Sequence, residues 1–198
     1  MNFRNRYMVM RHGESEANVA HIIASGPDLA RGSYGLTGQG AEQVRGRVRE
    51  CGDLDRVTIV CSSDYRRAIE TAEIVREILG LGQVRVSALL RERFFGEFEG
   101  RSSEHYYDVW AGDAGNPDNG AHGVETPRAV RARMLAFVEE CEKDLDGETL
   151  LIVSHGDPLQ ILCAAFRGLA PDRHREIPPM GNADVRMLEP AEGFALRA

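Results

Sequence analysis

Leu150-Leu151-Ile152-Val153-Ser154-His155-Gly156-Asp157-Pro158 is the stretch that decides the fold. Its four leading apolar residues do not alternate with polar ones, as a strand with one wet face would. An unbroken apolar run of this length fits a central strand buried on both sides, the pattern of parallel sheets. Asp157-Pro158 follows directly and signals a helix start, a capping carboxylate with proline in the first turn.

Outward from this stretch the strand–helix alternation recurs. Tyr7-Met8-Val9-Met10, Val57 to Cys61, and Val84-Arg85-Val86 running into Ala88-Leu89-Leu90 are further strand candidates. Asp184 to Leu188 and Phe194 to Leu196 are candidate edge strands. Between them, Ala41, Val44, Val48 and Cys51 keep helical spacing, as do Tyr65, Ala68, Ile69, Ala72, Val75 and Leu79. The longest helix is predicted from about Pro127 to Leu145, with Thr126 as its cap and Val130, Met134, Phe137, Val138, Cys141 and Leu145 on one face. The expected fold class is α/β, a three-layer α/β/α arrangement with a mostly parallel central sheet. One domain is expected over residues 1–198, with a lid-like insert at about 100–126. Within that insert Gly112 to Gly123, rich in Gly, Asn, Asp and Pro, reads as a long loop.

Composition narrows the function classes. The 198 residues are 42% hydrophobic, enough for a sizeable core. A net charge of -7 argues against nucleic acid as a main partner, because backbone phosphates need a basic face. The four cysteines, Cys51, Cys61, Cys141 and Cys163, form no Cys-x-x-Cys pair, which favours a reducing cytoplasm. The basic start of the chain is followed by an apolar run that stops at Met10, too short for a signal-peptide core, and no segment has the length of a membrane span.

Ligands of open α/β sheets bind at the carboxyl ends of the strands, so the residues after each strand matter most. The first strand is followed by Arg11-His12-Gly13-Glu14, the second by Ser62-Ser63-Asp64-Tyr65-Arg66-Arg67, the third by Arg91-Glu92-Arg93, and the fourth by Ser154-His155-Gly156. Two histidines, at least two arginines and a glutamate thus reach one edge. Phosphoryl transfer asks for these types. Arginine forks match phosphoryl oxygens and stay charged. A neutral imidazole can attack phosphorus, and a carboxyl group of raised pKa can protonate a leaving alkoxide. These residues alone do not rank His12 over His155 as the nucleophile.

The assembled motifs resemble the histidine phosphatase superfamily, in its phosphoglycerate-mutase-like branch. The resemblance rests on Arg11-His12-Gly13-Glu14-Ser15-Glu16 with Asn18, on Leu36-Thr37 with Gly40, on Ser62-Ser63 with Arg67-Ala68-Ile69-Glu70-Thr71-Ala72, on Leu90-Arg91-Glu92-Arg93-Phe94-Phe95-Gly96, and on Ser154-His155-Gly156. It implies a phosphoglycerate mutase-like fold and a set of roles. His12 becomes phosphorylated, and Glu92 is the proton donor and later the base. Arg11, Arg67 and His155 are catalytic and bind the phosphoryl oxygens, with Asn18 and Gly156 completing the phosphate site. It also implies no metal and no cofactor, and a small phosphorylated metabolite as partner, without nucleic acid or membrane. Oligomeric state stays open between monomer and homodimer.

Plainer readings hold for the remaining candidates. Arg66 lies about 100° around a helix from Arg67 and reads as a surface charge. Arg91 and Arg93 flank Glu92 and read as ion-pair partners, and His21, His105, His122 and His174 as surface or loop residues. Tyr106, Tyr107 and Trp110 are candidate lid anchors or packing residues. The segment from Gly100 to Thr126 holds one basic residue, Arg101, against Glu104, Asp108, Asp113, Asp118 and Glu125. If that acidic segment covers the pocket, it suits neither a carboxylate nor a second phosphate. The expectation is therefore a phosphatase acting on a small phosphomonoester. The alternatives are a phosphoglycerate mutase and, from another class, a non-catalytic binding or regulatory module. All five residues with catalytic roles are present, which disfavours the last.

Overall fold

The computed structural model describes residues 3–194 and 196. Its strands and helices run β1 (Arg6–Arg11), α1 (Glu16–Val19), α2 (Pro27–Ala30), α3 (Gly38–Glu50), β2 (Ile59–Ser62), α4 (Arg66–Leu79), β3 (Arg85–Val86), α5 (His105–Asp113), α6 (Pro127–Asp144), β4 (Thr149–Ser154), α7 (Gly156–Phe166) and β5 (Val185–Met187). The five strands form one sheet in the order β3-β2-β4-β1-β5. All pairs are parallel except β1 with β5.

Alternation along the strands divides the core into two layers. Tyr7 and Val9 of β1, Cys61 of β2, and Leu150 and Ile152 of β4 face α6 and α7. Met8 and Met10, Val60, and Leu151 and Val153 face the other way, onto Val44 and Val48 of α3 and Ala68, Ala72 and Val75 of α4. Every residue of β4 is buried. Each fully buried aliphatic side chain contributes roughly 1.5–3 kcal/mol, so this strand anchors both layers at once. A third cluster, Ile23, Phe95, Phe98, Val109 and Val124, lies under α5, beyond the carboxyl edge of the sheet.

Caps fall where short polar side chains precede the helices. Thr37 accepts from the Gly40 N–H, Thr126 from the Ala129 N–H, and Ser15 from the Asn18 N–H. One expectation fails and one shifts. Phe194 and Leu196 take no strand conformation, and Ala195 lies outside the described residues. Phe194 instead stacks on Phe3 and Phe166, with ring centroids 5.8 and 5.0 Å away, because an aromatic cluster covers more apolar area than a frayed edge strand would. The loop expected from Gly112 to Gly123 begins two residues later, because Gly112 and Asp113 close α5, and Ala121–Gly123 form a 3₁₀ turn. Among the described residues no helix is long and apolar enough to cross a membrane.

Candidate active site

β1 and β4 lie side by side with Arg11 opposite Ser154. His12 and His155 are the next residues on each strand, and the His12 N–H donates to the Ser154 carbonyl at 3.1 Å. Their imidazoles meet edge to face with centroids 5.2 Å apart. Arg67 arrives from the first turn of α4, buried, and its Nε donates to His12 Nε2 at 3.1 Å. Glu92 follows the turn at Ala88–Leu90, beyond β3. Arg11, His12, Asn18, Arg67, Glu92 and Gly156 line one cavity of about 160 Å³. His155 stands behind it, buried against His12 and Ser63. All seven residues singled out from the sequence therefore converge at this edge.

Local packing holds them there. A Cβ on Gly13 would stand 2.5 Å from the Gly40 carbonyl oxygen, and one on Gly40 would collide with the Glu14 carbonyl. The turn after β1 is thus pressed against the start of α3, with no room for a side chain on either glycine. Gly156 is different, since its added Cβ would meet only the Arg11 guanidinium, at 3.8 Å. Its contribution is its place at the start of α7, where no side chain caps the first turn. The helix start that follows β1 is closed on itself. α1 has four residues, and Ser15 and Asn18 close its N-terminus on each other in a capping box. Asn18 Oδ1 accepts from the Ser15 N–H at 3.0 Å and from Asn182 Nδ2 at 3.2 Å, which leaves the Asn18 NH₂ as the donor not engaged in that cap.

The electrostatics favour a neutral histidine in an anion pocket. His12 Nδ1 lies 2.7 Å from the Gly13 carbonyl, which fixes the proton on Nδ1 and leaves the lone pair on Nε2. Burial, and then the charges of Arg67 and Arg11, hold His12 well below the usual histidine range. His155 is lowered by burial and by Arg67, while its Nε2 bonds Ser63 Oγ at 3.0 Å. Arg11 Nε, Arg67 Nη1 and His155 Nδ1 are buried nitrogens without a protein partner. Buried unsatisfied nitrogens are costly, and an anion within their reach would satisfy them. Glu92 is pushed up to about 7, first by burial and then by the charge of Asp157, with Arg67 opposing. Among the described residues no group of three or more His, Cys, Asp or Glu stands ready to hold a metal ion.

Arg175 and Asn182, which also reach the site, carry no sequence signal, whereas Trp110 is a candidate lid anchor. Arg175, from the 3₁₀ turn Pro171–Glu176, lines the same cavity. Its guanidinium carbon lies 3.8 Å from the centroid of the Trp110 ring, and its Nη1 donates to Gln160 Oε1 at 2.6 Å. Trp110 Nε1 donates to both carboxylate oxygens of Asp157 at 3.0 Å. Asn182 Nδ2 donates to the His12 carbonyl at 3.2 Å, tying the β1 turn to Asn18. Their elements are separate in sequence, so only the folded chain brings them together.

The acidic segment does not act as expected. Asp113 is fully buried against Arg93, with oxygens 2.6 and 2.9 Å from its guanidinium. Asp118 pairs with Arg128 at 2.7 Å, Glu125 with Arg133 at 2.7 Å, and Asp108 with His105 at 3.1 Å. None of these carboxylates lines the His12 cavity, to which the segment contributes Tyr106 and Trp110. His174, expected at the surface, is fully buried, with Nδ1 bonded to the Pro171 carbonyl at 2.8 Å and Nε2 3.8 Å from Asp113. The Arg93–Asp113 pair needs polar company once it is out of water, which accounts for a histidine at depth. Arg66, by contrast, is a surface charge paired with Glu70 at 2.7 Å.

Fold and site together define a three-layer α/β protein whose sheet edge carries a pocket lined by His12 and arginines. The chain belongs to the histidine phosphatase superfamily (branch 1), whose family model matches residues 7–196. It is 32% identical over 171 residues to a protein of Hydrogenobacter thermophilus bearing the name phosphoserine phosphatase 2, covering 83% of this chain and 79% of that one. It is 28% identical over 172 residues to a 2,3-bisphosphoglycerate-dependent phosphoglycerate mutase of Parvibaculum lavamentivorans, covering 80% of this chain and 78% of the mutase. A mycobacterial glucosyl-3-phosphoglycerate phosphatase, solved with VO3, superposes with a TM-score of 0.78 at 26% identity, over 92% of this chain and 91% of its own.

Proposed function

We propose that this protein is a metal-independent phosphatase that hydrolyses a small phosphomonoester through a phosphohistidine on His12. The carrying observation is the His12 Nε2 lone pair, held neutral and 3.1 Å from Arg67 Nε among buried nitrogens without partners. In the scheme, Arg11, Arg67, His155, the Asn18 amide and the Gly156 N–H bind the phosphoryl oxygens. His12 Nε2 attacks phosphorus as the ester P–O bond breaks, and the Glu92 carboxyl gives its proton to the leaving oxygen. Glu92, now a carboxylate, takes a proton from water as that water displaces phosphate from His12.

The choice of water over a second bound hydroxyl rests on cations. The arginines lining the cavity are Arg11 and Arg67 beside His12, and Arg175 alongside Trp110. One further arginine suits a single carboxylate, whereas a bisphosphate would need a second cluster. The acidic segment argues less against a carboxylate beside His12, because Asp113, Asp118 and Glu125 are paired away from that cavity and Glu104 lines only the outer groove. Phosphorylated hydroxy acids therefore belong among the test substrates. The cavity, at about 160 Å³, is below the roughly 300–1,000 Å³ of drug-sized pockets, which supports a small reacting group.

The test is hydrolysis of an aryl phosphate with acid-labile, base-stable phosphoenzyme trapped in rapid quench. His12→Ala should abolish both. Mutase turnover comparable to hydrolysis when bisphosphoglycerate is supplied would overturn the phosphatase reading. Failure of every phosphatase and mutase assay would favour a binding module instead.

A further inference from the structure

A second cavity, of about 400 Å³, opens from the first and shares Ala17, Asn18, Ile22, Tyr106 and Trp110 with it. Its outer part is lined by His21, Ser103, Glu104 and Tyr107. The groove has built walls. Ile22 forms an antiparallel bridge with Ser102, the Ile23 N–H donates to the Arg101 carbonyl at 2.9 Å, and the Ser103 N–H donates to the His21 carbonyl at 2.8 Å. His21 turns with φ of 53°, a left-handed conformation uncommon outside glycine, which carries the chain from α1 into this pairing. Beside it Tyr107 is 71% exposed, its ring set edge to face on Trp110 with centroids 5.4 Å apart. Trp110 is itself fixed by Asp157, by Arg175 and by the stacked Tyr106 ring 5.4 Å away. An aromatic platform on a fixed base, open to water and continuous with the reacting cavity, is a surface prepared for a ligand.

We infer that this groove holds the far part of the leaving group, and that this part is an uncharged, hydroxylated ring such as a glycosyl unit. The inference rests on the phosphatase reading for its orientation, since His12 fixes which end is the phosphoryl group. The lining decides the chemistry. It contains no Lys or Arg, and Glu104 adds a negative charge, so an anionic extension is repelled. An alkyl extension would bury Ser103, His21 and Glu104 without partners. A sugar ring meets both demands, placing a C–H face on Tyr107 and hydroxyls within reach of Glu104, Ser103 and His21.

The experiment compares glycerol phosphate with glucosylglycerol phosphate on the wild type, Tyr107→Ala and Tyr107→Phe. The wild type should prefer the glucosylated ester about tenfold or more in kcat/KM, chiefly through KM. Tyr107→Ala should bring the ratio of the two close to one, and Tyr107→Phe should keep it. Equal wild-type constants, or a preference untouched by Tyr107→Ala, would overturn the inference. So would a gain with ethanolamine phosphate and none with the glucosylated ester, which would mark the groove as a cation site. If neither ester is hydrolysed, the phosphatase reading fails, and calorimetry of wild type with glucosylglycerol decides the groove. Heat of binding lost in Tyr107→Ala would support the inference, and no heat would overturn it.

Discussion

Glu92 carries a proton that burial and Asp157 keep on it up to about pH 7. As general acid it must hold that proton, so kcat/KM for an alkyl phosphate should fall as pH rises through about 7. Glu92→Gln should slow turnover by roughly 10²–10⁴ and flatten that limb. The same shift affects stability. In the unfolded chain Glu92 ionises near about 4.3, so below that pH both states are protonated and nothing is lost. Between there and about 7 only the unfolded state gives up the proton, and wild-type stability falls as pH rises. Above 7 the penalty is constant, at most about 4 kcal/mol. Glu92→Gln should therefore gain stability on wild type at about pH 8 but not at about pH 4, read from urea midpoints. A difference independent of pH would contradict this account. His12, Arg67, Glu92 and His155 could be read from the sequence because each follows a strand end, and strand ends meet at one edge. Arg175 could not, because its position depends on how the 3₁₀ turn after α7 folds back over Trp110.

At the scale of elements, α5 turns Tyr106, Val109 and Trp110 inward and closes on a buried aspartate. In His105-Tyr106-Tyr107-Asp108-Val109-Trp110-Ala111-Gly112-Asp113 that stripe is short, ends on a charged residue and is followed by turn residues. That is why the sequence reads the region as a lid or loop. A buried aspartate has no local signature, since its partner Arg93 is far along the chain. Asn119 Nδ2 also donates to Asp113 at 2.9 Å, which orders the turns that follow α5. Asp113→Asn should cost about 3 kcal/mol, near the low end for a broken buried pair, because Asp157 remains 3.4 Å from Arg93. Arg93→Met with Asp113→Leu should recover much of that loss. Asp118→Asn, which breaks a solvent-exposed pair, should leave the urea midpoint essentially unchanged. A double-mutant cycle in urea checks the set, and a coupling near zero between Arg93 and Asp113 would refute it.

For the whole molecule, the fully apolar run of β4 implied burial on both faces, and both layers pack on it. Leu151→Ala and Ile152→Ala open opposite layers, and each should destabilise by about 2–5 kcal/mol. Each variant should still turn over substrate at low temperature, where it remains folded, and a loss of activity without a loss of folded signal would refute that. The sheet order was not legible, because periodicity reports which side of a strand is wet and not which strand lies beside it. The place of β4 between β2 and β1 nevertheless bears directly on the site. Neighbouring strands lie about 4.8 Å apart, and the two imidazoles, each one residue past a register pair, are 5.2 Å apart. The sheet therefore works as a ruler, setting the gap between the histidines by backbone hydrogen bonds instead of by side-chain fit. A one-residue insertion in either strand would silence the enzyme while leaving every functional side chain in the chain. Heat inactivation should coincide with global unfolding, so a simple activity assay would report the melting of the entire fold.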